Sequence, residues 1–175
     1  MTTILAISGS LRRLSTNTAL LRTAQVIATP PVVVDIYTGM DELPHFNPDN
    51  DHDPLPPPVA ALRNAIHRAD ALLLSTPEYA GALPGSFKNL LDWTIGDDQP
   101  GSIYEKPVGW INASSHGAIN AQASLRLVLG FAHARIIDEA CAEIPINSHD
   151  ISDDGLVNDA DVRTRLGALL AELSG

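Results

Sequence analysis

The sequence has a single cysteine and few aromatic or basic residues. One cysteine, Cys141, excludes a disulfide framework within the chain and a metal cluster built on cysteines. Eleven lysines and arginines stand against 21 aspartates and glutamates, which gives a formal net charge of −10. A chain this acidic is not expected to bind nucleic acid or an anionic membrane. No apolar stretch approaches the roughly 18 residues of a membrane span, and no signal peptide is recognisable. We therefore expect a cytoplasmic protein with a buried, inert thiol.

Signatures of several enzyme classes are also missing. The chain has no Gly-x-Ser-x-Gly motif, which argues against a hydrolase with a nucleophile elbow. The first loop lacks the extra glycines of a dinucleotide fingerprint and the Gly-Lys-Ser/Thr of a P-loop. A proline-rich segment, residues 38–58, groups several potential metal ligands, but aspartate beside proline is typical of turns. We predict no metal site there, and we interpret the segment as a functional loop or one that packs on a partner. The potential ligands are His45, Asp49, Asp51, His52 and Asp53.

Apolar runs alternate with amphipathic stretches along the rest of the chain. The apolar runs predict strands at Thr3–Ser8, Val32–Ile36, Ala71–Ser75, Pro107–Ile111 and Arg135–Ile137, the last with an extension near Ile144. The amphipathic stretches predict helices at Thr16–Ala28, Val59–Arg68, Phe87–Trp93, Ala121–Leu129 and Asp159–Leu173. Five apolar strands separated by helices predict an α/β fold, a three-layer sandwich with a parallel sheet in the middle. We expect one domain, residues 1–175.

The loop between the first strand and the first helix predicts an anion site. It reads Gly9-Ser10-Leu11-Arg12-Arg13-Leu14-Ser15-Thr16-Asn17. Free backbone amides and the positive end of a helix dipole favour an anion there. Arg12 can hold phosphate oxygens with its forked guanidinium. The side chains that can donate hydrogen bonds are Ser10, Ser15, Thr16 and Asn17. This set suits a terminal phosphate better than a bridging pyrophosphate. The alternative is an ordinary turn in which a serine or threonine caps the helix.

Two further loops follow strands three and four. In a sheet of order 2-1-3-4-5, the loop after strand three shares the topological switch point with the first loop, and ligands bind there in open α/β sheets. Its prolines and small residues predict an extended backbone against which a flat ring could lie. A rigid turn with Ser86 as the helix cap is the alternative. The loop after strand four, residues 112–118, offers backbone amides to a negatively charged ligand. We interpret its His116 as an exposed loop residue rather than a general acid.

These segments resemble the NADPH-dependent FMN reductases of the flavodoxin-like superfamily, which include quinone, chromate and azo-compound reductases. The resemblance covers about residues 3 to 130. One departure is Ala80, where such proteins often carry asparagine. The motifs are Gly9-Ser10-Leu11-Arg12-x-x-Ser15-x-Asn17, then Pro77-Glu78-Tyr79, Pro84-Gly85, Lys88-Asn89 and Asp92-Trp93, and finally Lys106-Pro107-Val108 with Ser114-Ser115-x-Gly117.

The resemblance implies a flavodoxin-like fold of strand order 2-1-3-4-5, with FMN and NADPH or NADH as cofactors. It implies that the FMN phosphate binds Ser10, Arg12, Ser15 and Asn17. It implies that the ribityl chain and ring lie along Pro77, Glu78, Tyr79, Ala80 and Gly81, and that the pyrimidine end contacts Ser115 and Gly117. No catalytic side chain is implied, because the chemistry belongs to the cofactor. It also implies a homodimer or homotetramer, with the helix that contains Trp93 near the interface.

Three functions are open at this point, because the fold alone decides between none of them. The first is an NAD(P)H-dependent oxidoreductase that transfers hydride through bound FMN to a quinone, a flavin or a similar small acceptor. The second is a flavodoxin-like electron-transfer or FMN-carrying protein without its own NAD(P)H site. The phosphate loops of such carriers are usually rich in threonine and glycine, unlike the Arg12-x-x-Ser15 loop. The third is a flavin-free protein that binds a phosphate ester.

Overall fold

Five apolar runs form the strands of one parallel sheet, and the computed structural model describes all 175 residues. The strand order is β2-β1-β3-β4-β5, and every neighbouring pair is parallel, so the predicted topology is confirmed. The strands are β1 (Thr2–Ser8), β2 (Val32–Tyr37), β3 (Ala71–Ser75), β4 (Pro107–Asn112) and β5 (Arg135–Glu143). The helices are α1 (Thr16–Ile27), α2 (Pro57–Arg68), α3 (Gly85–Ile95), α4 (Ile119–Phe131) and α5 (Ala160–Ser174).

The sheet is buried on both faces, which makes the fold a three-layer sandwich. Successive side chains of a strand point to opposite faces. In β1, Ile4 and Ala6 therefore join a core with residues of α1 and α5. Leu5 and Ile7 join a second core with residues of α2, α3 and α4. Because both faces need apolar side chains, the central strands β1, β3 and β4 are continuous, mostly apolar runs rather than alternating ones.

Strand β5 is nine residues long, where the sequence predicted three with an extension near Ile144. Asp138 and Glu139 interrupt its apolar run and lie exposed, which hides the strand in the sequence. A shift of register beside β4 gives these charged residues room to face solvent. Gly109 of β4 permits the close approach there, because a Cβ atom would lie 2.5 Å from the carbonyl oxygen of Ala140.

Three helices begin two residues before their predicted starts. Helix α2 begins at Pro57, helix α3 at Gly85 and helix α4 at Ile119. Pro84 stands at the N-cap position of α3, so the suggested cap by Ser86 is wrong. Pro57 is the first residue of α2, where the fixed φ of proline is already helical and its missing N–H leaves no donor unpaired. None of the helices combines the length and the apolar character that crossing a membrane requires.

The proline-rich segment, residues 38–58, packs on α3 of its own chain. The Trp93 indole Nε1 donates to the Pro44 carbonyl at 2.8 Å, and the Asn89 side chain donates to the same oxygen at 2.9 Å. The Asn89 Oδ1 atom accepts from the Phe46 amide at 2.7 Å. The ring of Phe46 stands edge-on to Trp93, with 5.0 Å between centroids. These contacts give backbone polar groups of the long segment hydrogen-bond partners within the chain. They also bury the Trp93 side chain completely.

The potential metal ligands of this segment have other partners or lie apart. Asp51 forms an ion pair with Arg63 at 2.7 Å, and Arg63 also donates to the Trp93 carbonyl. A ring nitrogen of His52 lies 3.1 Å from the backbone carbonyl of Asp53. No three histidine, cysteine or acidic side chains are grouped as a metal ion would need.

Cys141 is only partly buried on β5, where a buried thiol was expected. Burial raises its pKa to about 11, which keeps the thiol protonated at neutral pH. The thiolate is the reactive form of cysteine, so this side chain is a weak nucleophile as predicted.

Candidate functional site

Three loops at the carboxyl edge of the sheet border one cleft of about 400 Å³. They follow β1, β3 and β4, which are neighbours in the sheet. The cleft therefore lies where connections leave β1 and β3 in opposite directions, the switch point of such folds. The residues that line it are Thr16, Asn17, Pro77, Glu78, Ala113, Ser114, Ser115, His116, Ala118 and Ile146.

The cleft brings together four of the eleven residues expected to bind FMN, namely Asn17, Pro77, Glu78 and Ser115. The other seven belong to the same loops or to the adjoining helix N-terminus but are not part of this lining. They are Ser10, Arg12, Ser15, Tyr79, Ala80, Gly81 and Gly117.

Gly9 lets the first loop leave β1 in close contact with the loop after β3. Its amide donates to the Ser75 carbonyl at 2.8 Å. A Cβ atom at this position would lie 2.4 Å from Thr76 Oγ1, so a larger residue would push the two loops apart. Ser10 is buried, and its Oγ accepts from the Arg12 amide at 3.3 Å. The start of the loop is therefore held by glycine and by a serine hydroxyl.

The N-terminus of α1 is capped only in part. Ser15 has an extended backbone, and its Oγ accepts from the Thr18 amide at 3.4 Å. The ordinary-turn alternative was therefore right about a serine cap. However, the first amides of a helix have no intrahelical acceptor, and those of Thr16 and Asn17 find none elsewhere in the chain. The first turn contains no acidic residue, so the positive end of the dipole is not neutralised from within the helix.

Arg12 and Arg13 lie exposed in this loop, and neither guanidinium pairs with a carboxylate of the chain. Asn17 is buried, and its Oδ1 accepts from Ser75 Oγ at 2.9 Å. This bond ties α1 to the end of β3, a role that its expected phosphate contact did not include. The loop thus offers hydroxyls, free amides and an unpaired guanidinium, the donor set that a phosphate monoester requires.

The loop after β3 makes a tight turn at Ala80 and Gly81. Tyr79 and Ala82 exchange backbone hydrogen bonds of 3.0 and 3.1 Å, and the two residues between them have φ of +50° and +72°. Positive φ at both central positions defines a type I′ turn, for which Asn-Gly is the preferred pair. The expected extended backbone is therefore wrong beyond Tyr79. Asparagine tolerates this conformation better than alanine, so Ala80 leaves the turn under backbone strain.

Glu78 makes a contact that no local pattern revealed. Its Oε2 atom accepts from the amide of Ala121, 43 residues later in the chain, at 3.0 Å. The N-cap residue of α4 is Ala118, which has a left-handed backbone and no capping side chain. The carboxylate therefore supplies the cap from the neighbouring loop.

The loop after β4 is organised by Asn112, which sequence analysis did not single out. Its side chain is buried, accepts from the Ser114 amide at 3.0 Å and donates to the Gly117 carbonyl. Gly117 has a φ of +93°, a conformation that glycine adopts without steric cost. A polar residue at the end of an apolar strand was the available signal for Asn112.

Ser115 and His116 are exposed on the cleft side of this loop. The Ser115 hydroxyl lies 3.2 Å from His116 Nδ1, and no carboxylate pairs with this histidine. A general acid is usually oriented by a fixed partner, so the arrangement supports the interpretation of His116 as a loop residue.

The chain is similar to known proteins in both sequence and structure. Residues 2–146 match the sequence model of a family described as NADPH-dependent FMN reductase. An NAD(P)H-dependent FMN reductase of Pseudomonas aeruginosa is 37% identical over 131 residues, which are 73% of this chain and 69% of the relative. A quinone reductase of Escherichia coli strain K12 is 33% identical over 141 residues, which are 78% of this chain and 73% of the relative.

Among solved structures, a full-length match is FerB of Paracoccus denitrificans, a flavoenzyme NAD(P)H:(acceptor) oxidoreductase. Its TM-score is 0.83 at 28% identity, and the alignment covers 99% of this chain and 97% of FerB. The likeness therefore extends beyond the three loops to the C-terminal strand and helix, where the sequence carried no recognisable motif.

Proposed function

Because the chain belongs to the NADPH-dependent FMN reductase family, we propose that its cleft holds FMN with the phosphate at the N-terminus of α1. The chain is an NAD(P)H-dependent oxidoreductase of the FMN reductase and quinone reductase type, which favours the first of the three hypotheses. The observation that carries the proposed placement is the partly uncapped helix end, where Thr16 and Asn17 keep free amides beside an unpaired Arg12.

The phosphate ligands in this proposal are Ser10, Arg12, Ser15 and Asn17. The hydroxyls of Ser10 and Ser15 each accept a backbone N–H and keep their own proton for a phosphate oxygen. No lysine or arginine lines the cleft, and Arg12 supplies a positive charge from the loop that borders it. Asn17 keeps its amide nitrogen for the ligand while its oxygen is bonded to Ser75.

The remaining ligands come from the other two loops. Pro77, Glu78, Tyr79, Ala80 and Gly81 form the support for the ribityl chain and ring, and Ser115 and Gly117 the contact for the pyrimidine end. Bound FMN supplies the chemistry, taking hydride from NAD(P)H and passing electrons to a small acceptor. The chain binds and orients the reactants, and no side chain is assigned as a catalytic acid or base.

The acceptor in this proposal is a quinone, a flavin or a similar small oxidant, as the names of the relatives suggest. One cleft serves donor and acceptor, so the two bind in turn. Initial rates measured against both substrates should give parallel lines. Intersecting lines would contradict the shared cleft. Failure to oxidise NAD(P)H at all would favour the second hypothesis, an FMN-carrying protein without its own NAD(P)H site.

Flavin titration tests the phosphate placement. We expect FMN to bind and FAD to bind more weakly, because an adenylate attached to the phosphate would crowd Arg12 and Ser15. Quenching of flavin fluorescence measures both affinities. Equal affinity for FMN and FAD would show that the phosphate does not end in this loop.

We also propose that residues 1–175 act as one FMN-binding domain in the cytoplasm and assemble as a homodimer or homotetramer. Ile95, Leu127 and Phe131 are 40%, 75% and 74% exposed and form an apolar face on α3 and α4. Trp93 is buried within the chain, so Ile95 rather than Trp93 would represent α3 in the contact. Light scattering of the wild type and of Leu127→Asp tests this, since the aspartate should give monomers.

A further inference from the structure

The N-terminus of α4 meets the cleft without a cap of its own. Ala118, its N-cap residue, lines the cleft in a left-handed conformation, and the first turn contains no acidic residue. Glu78 occupies this helix end from the loop after β3, with its carboxylate on the Ala121 amide at 3.0 Å. One side chain thereby joins the loop after β3 to the helix that follows the loop after β4.

We infer that Glu78 is a positioning residue whose fixed carboxylate ties the β3 loop to α4 and lowers the reduction potential of the flavin. This inference rests on the proposed FMN site. Glu78 thereby differs from the residues that only hold the cofactor. Its carboxylate bonds to an α4 amide, and its negative charge acts on the flavin from a distance.

The positioning role follows from the contact itself. An anionic acceptor on a helix amide is stabilised by the helix dipole, which keeps the side chain in place. Without the carboxylate, the Ala121 amide loses its partner, and the β3 loop loses its hydrogen bond to the first turn of α4.

The electrostatic role follows from the composition of the cleft. Transfer of a hydride from NAD(P)H leaves NAD(P)⁺ and adds one negative charge to the bound ring. Glu78 lines the cleft, and none of the residues that line it is a lysine or arginine. Arg12 is assigned to the phosphate, so among the groups that line the cleft the Glu78 charge is opposed mainly by the α4 dipole. The carboxylate therefore disfavours the reduced cofactor relative to the oxidised one.

Two substitutions separate the roles. Glu78→Gln removes the charge but keeps an oxygen that can accept from the Ala121 amide, whereas Glu78→Ala removes both. Glu105→Gln is the matched control, because it removes an exposed carboxylate of the same type that precedes β4 at the opposite edge of the sheet.

The first measurement is the midpoint potential of bound FMN, obtained by dye-coupled titration. In Glu78→Gln we expect the ratio of reduced to oxidised FMN affinity to rise about tenfold, given the reach of one charge at low effective dielectric. For a two-electron couple this is a rise of about 30 mV. An unchanged potential in Glu78→Gln, or an equal rise in Glu105→Gln, would overturn the electrostatic role.

The second measurement needs no flavin. Hydrogen exchange of the Ala121 amide in the flavin-free protein should be about tenfold faster in Glu78→Ala and close to wild type in Glu78→Gln. Unchanged exchange in Glu78→Ala would overturn the positioning role. If that variant does not fold, slow exchange in Glu78→Gln supports the role and fast exchange contradicts it. A wild type that binds no FMN would contradict the proposed function and leave this second result standing.

Discussion

The two helices whose N-termini meet the cleft are capped in opposite ways. Helix α1 carries its own cap, Ser15, and leaves the amides of Thr16 and Asn17 without acceptors. Helix α4 has no local cap, and the carboxylate of Glu78 occupies its first turn from another loop. Both ends carry the same helix dipole, yet only the first is accompanied by an unpaired arginine.

We infer from this difference that a helix dipole alone does not make an anion site. The partial positive charge at a helix N-terminus is modest, about half an elementary charge. Neighbouring charged side chains therefore decide whether the net potential there attracts an anion. At α1 the neighbours are hydroxyls and Arg12, which add to the attraction. At α4 the neighbour is a carboxylate, which cancels it. We therefore expect a phosphate to bind at the N-terminus of α1. The N-terminus of α4 should attract the flavin ring only weakly.

Removing the charge at α1 is the strongest way to break this contrast. Arg12→Ala should weaken FMN binding by about 1.5–3 kcal/mol, the range of a hydrogen bond to a charged group. Arg13→Ala is the matched control, with an exposed guanidinium one residue away, and should lose much less. Calorimetric titration of both variants gives the comparison. Equal losses would mean that the clamp is not confined to Arg12.

Removing the Ser15 cap tests how much this residue stabilises α1. Ser15→Ala should lower the free energy of unfolding by about 1 kcal/mol, because the Thr18 amide loses its acceptor. Ala118→Ser at α4 should give no gain, since a φ of +46° is incompatible with a capping serine. Urea denaturation of the flavin-free proteins measures both. A stabilising Ala118→Ser would show that the two ends are more alike than we describe.

Relieving the turn that follows Glu78 should have a smaller and opposite effect. Ala80→Asn should stabilise the protein by about 0.5–1 kcal/mol, because asparagine tolerates left-handed backbone better than alanine. Ala82→Asn, two residues on and without positive φ, should bring no gain. Thermal unfolding compares the two variants. A destabilised Ala80→Asn protein would argue against the type I′ turn.

The smallest effect is expected at His116, which precedes α4. His116→Ala should leave the rate of flavin reduction by NAD(P)H within about tenfold of wild type, because no carboxylate orients this exposed ring. Stopped-flow absorbance follows that step directly. A loss of a hundredfold or more would make His116 a catalytic residue.

The sequence by itself determined the architecture and the location of the cleft. Strands buried on both faces need continuous apolar runs, as in Leu72–Leu74, and such runs are visible without a structure. The polar loops after β1, β3 and β4 were equally visible, because hydroxyls, glycine and arginine stand out next to apolar strands. These signals are local, so neighbouring residues suffice to show them. Where charge interrupted a run, as at Asp138 in β5, the signal failed.

Only the tertiary structure decided which partners the polar side chains of these loops have. Glu78 caps a helix that begins 41 residues later, and Asn17 bonds to Ser75, 58 residues away. Pro44 and Trp93 are 49 residues apart and hold the proline-rich segment on α3. Such pairs have no spacing that a sequence could display, because chain folding alone brings them within hydrogen-bond distance. The contrast between an open helix end at α1 and a closed one at α4 therefore depends on long-range packing.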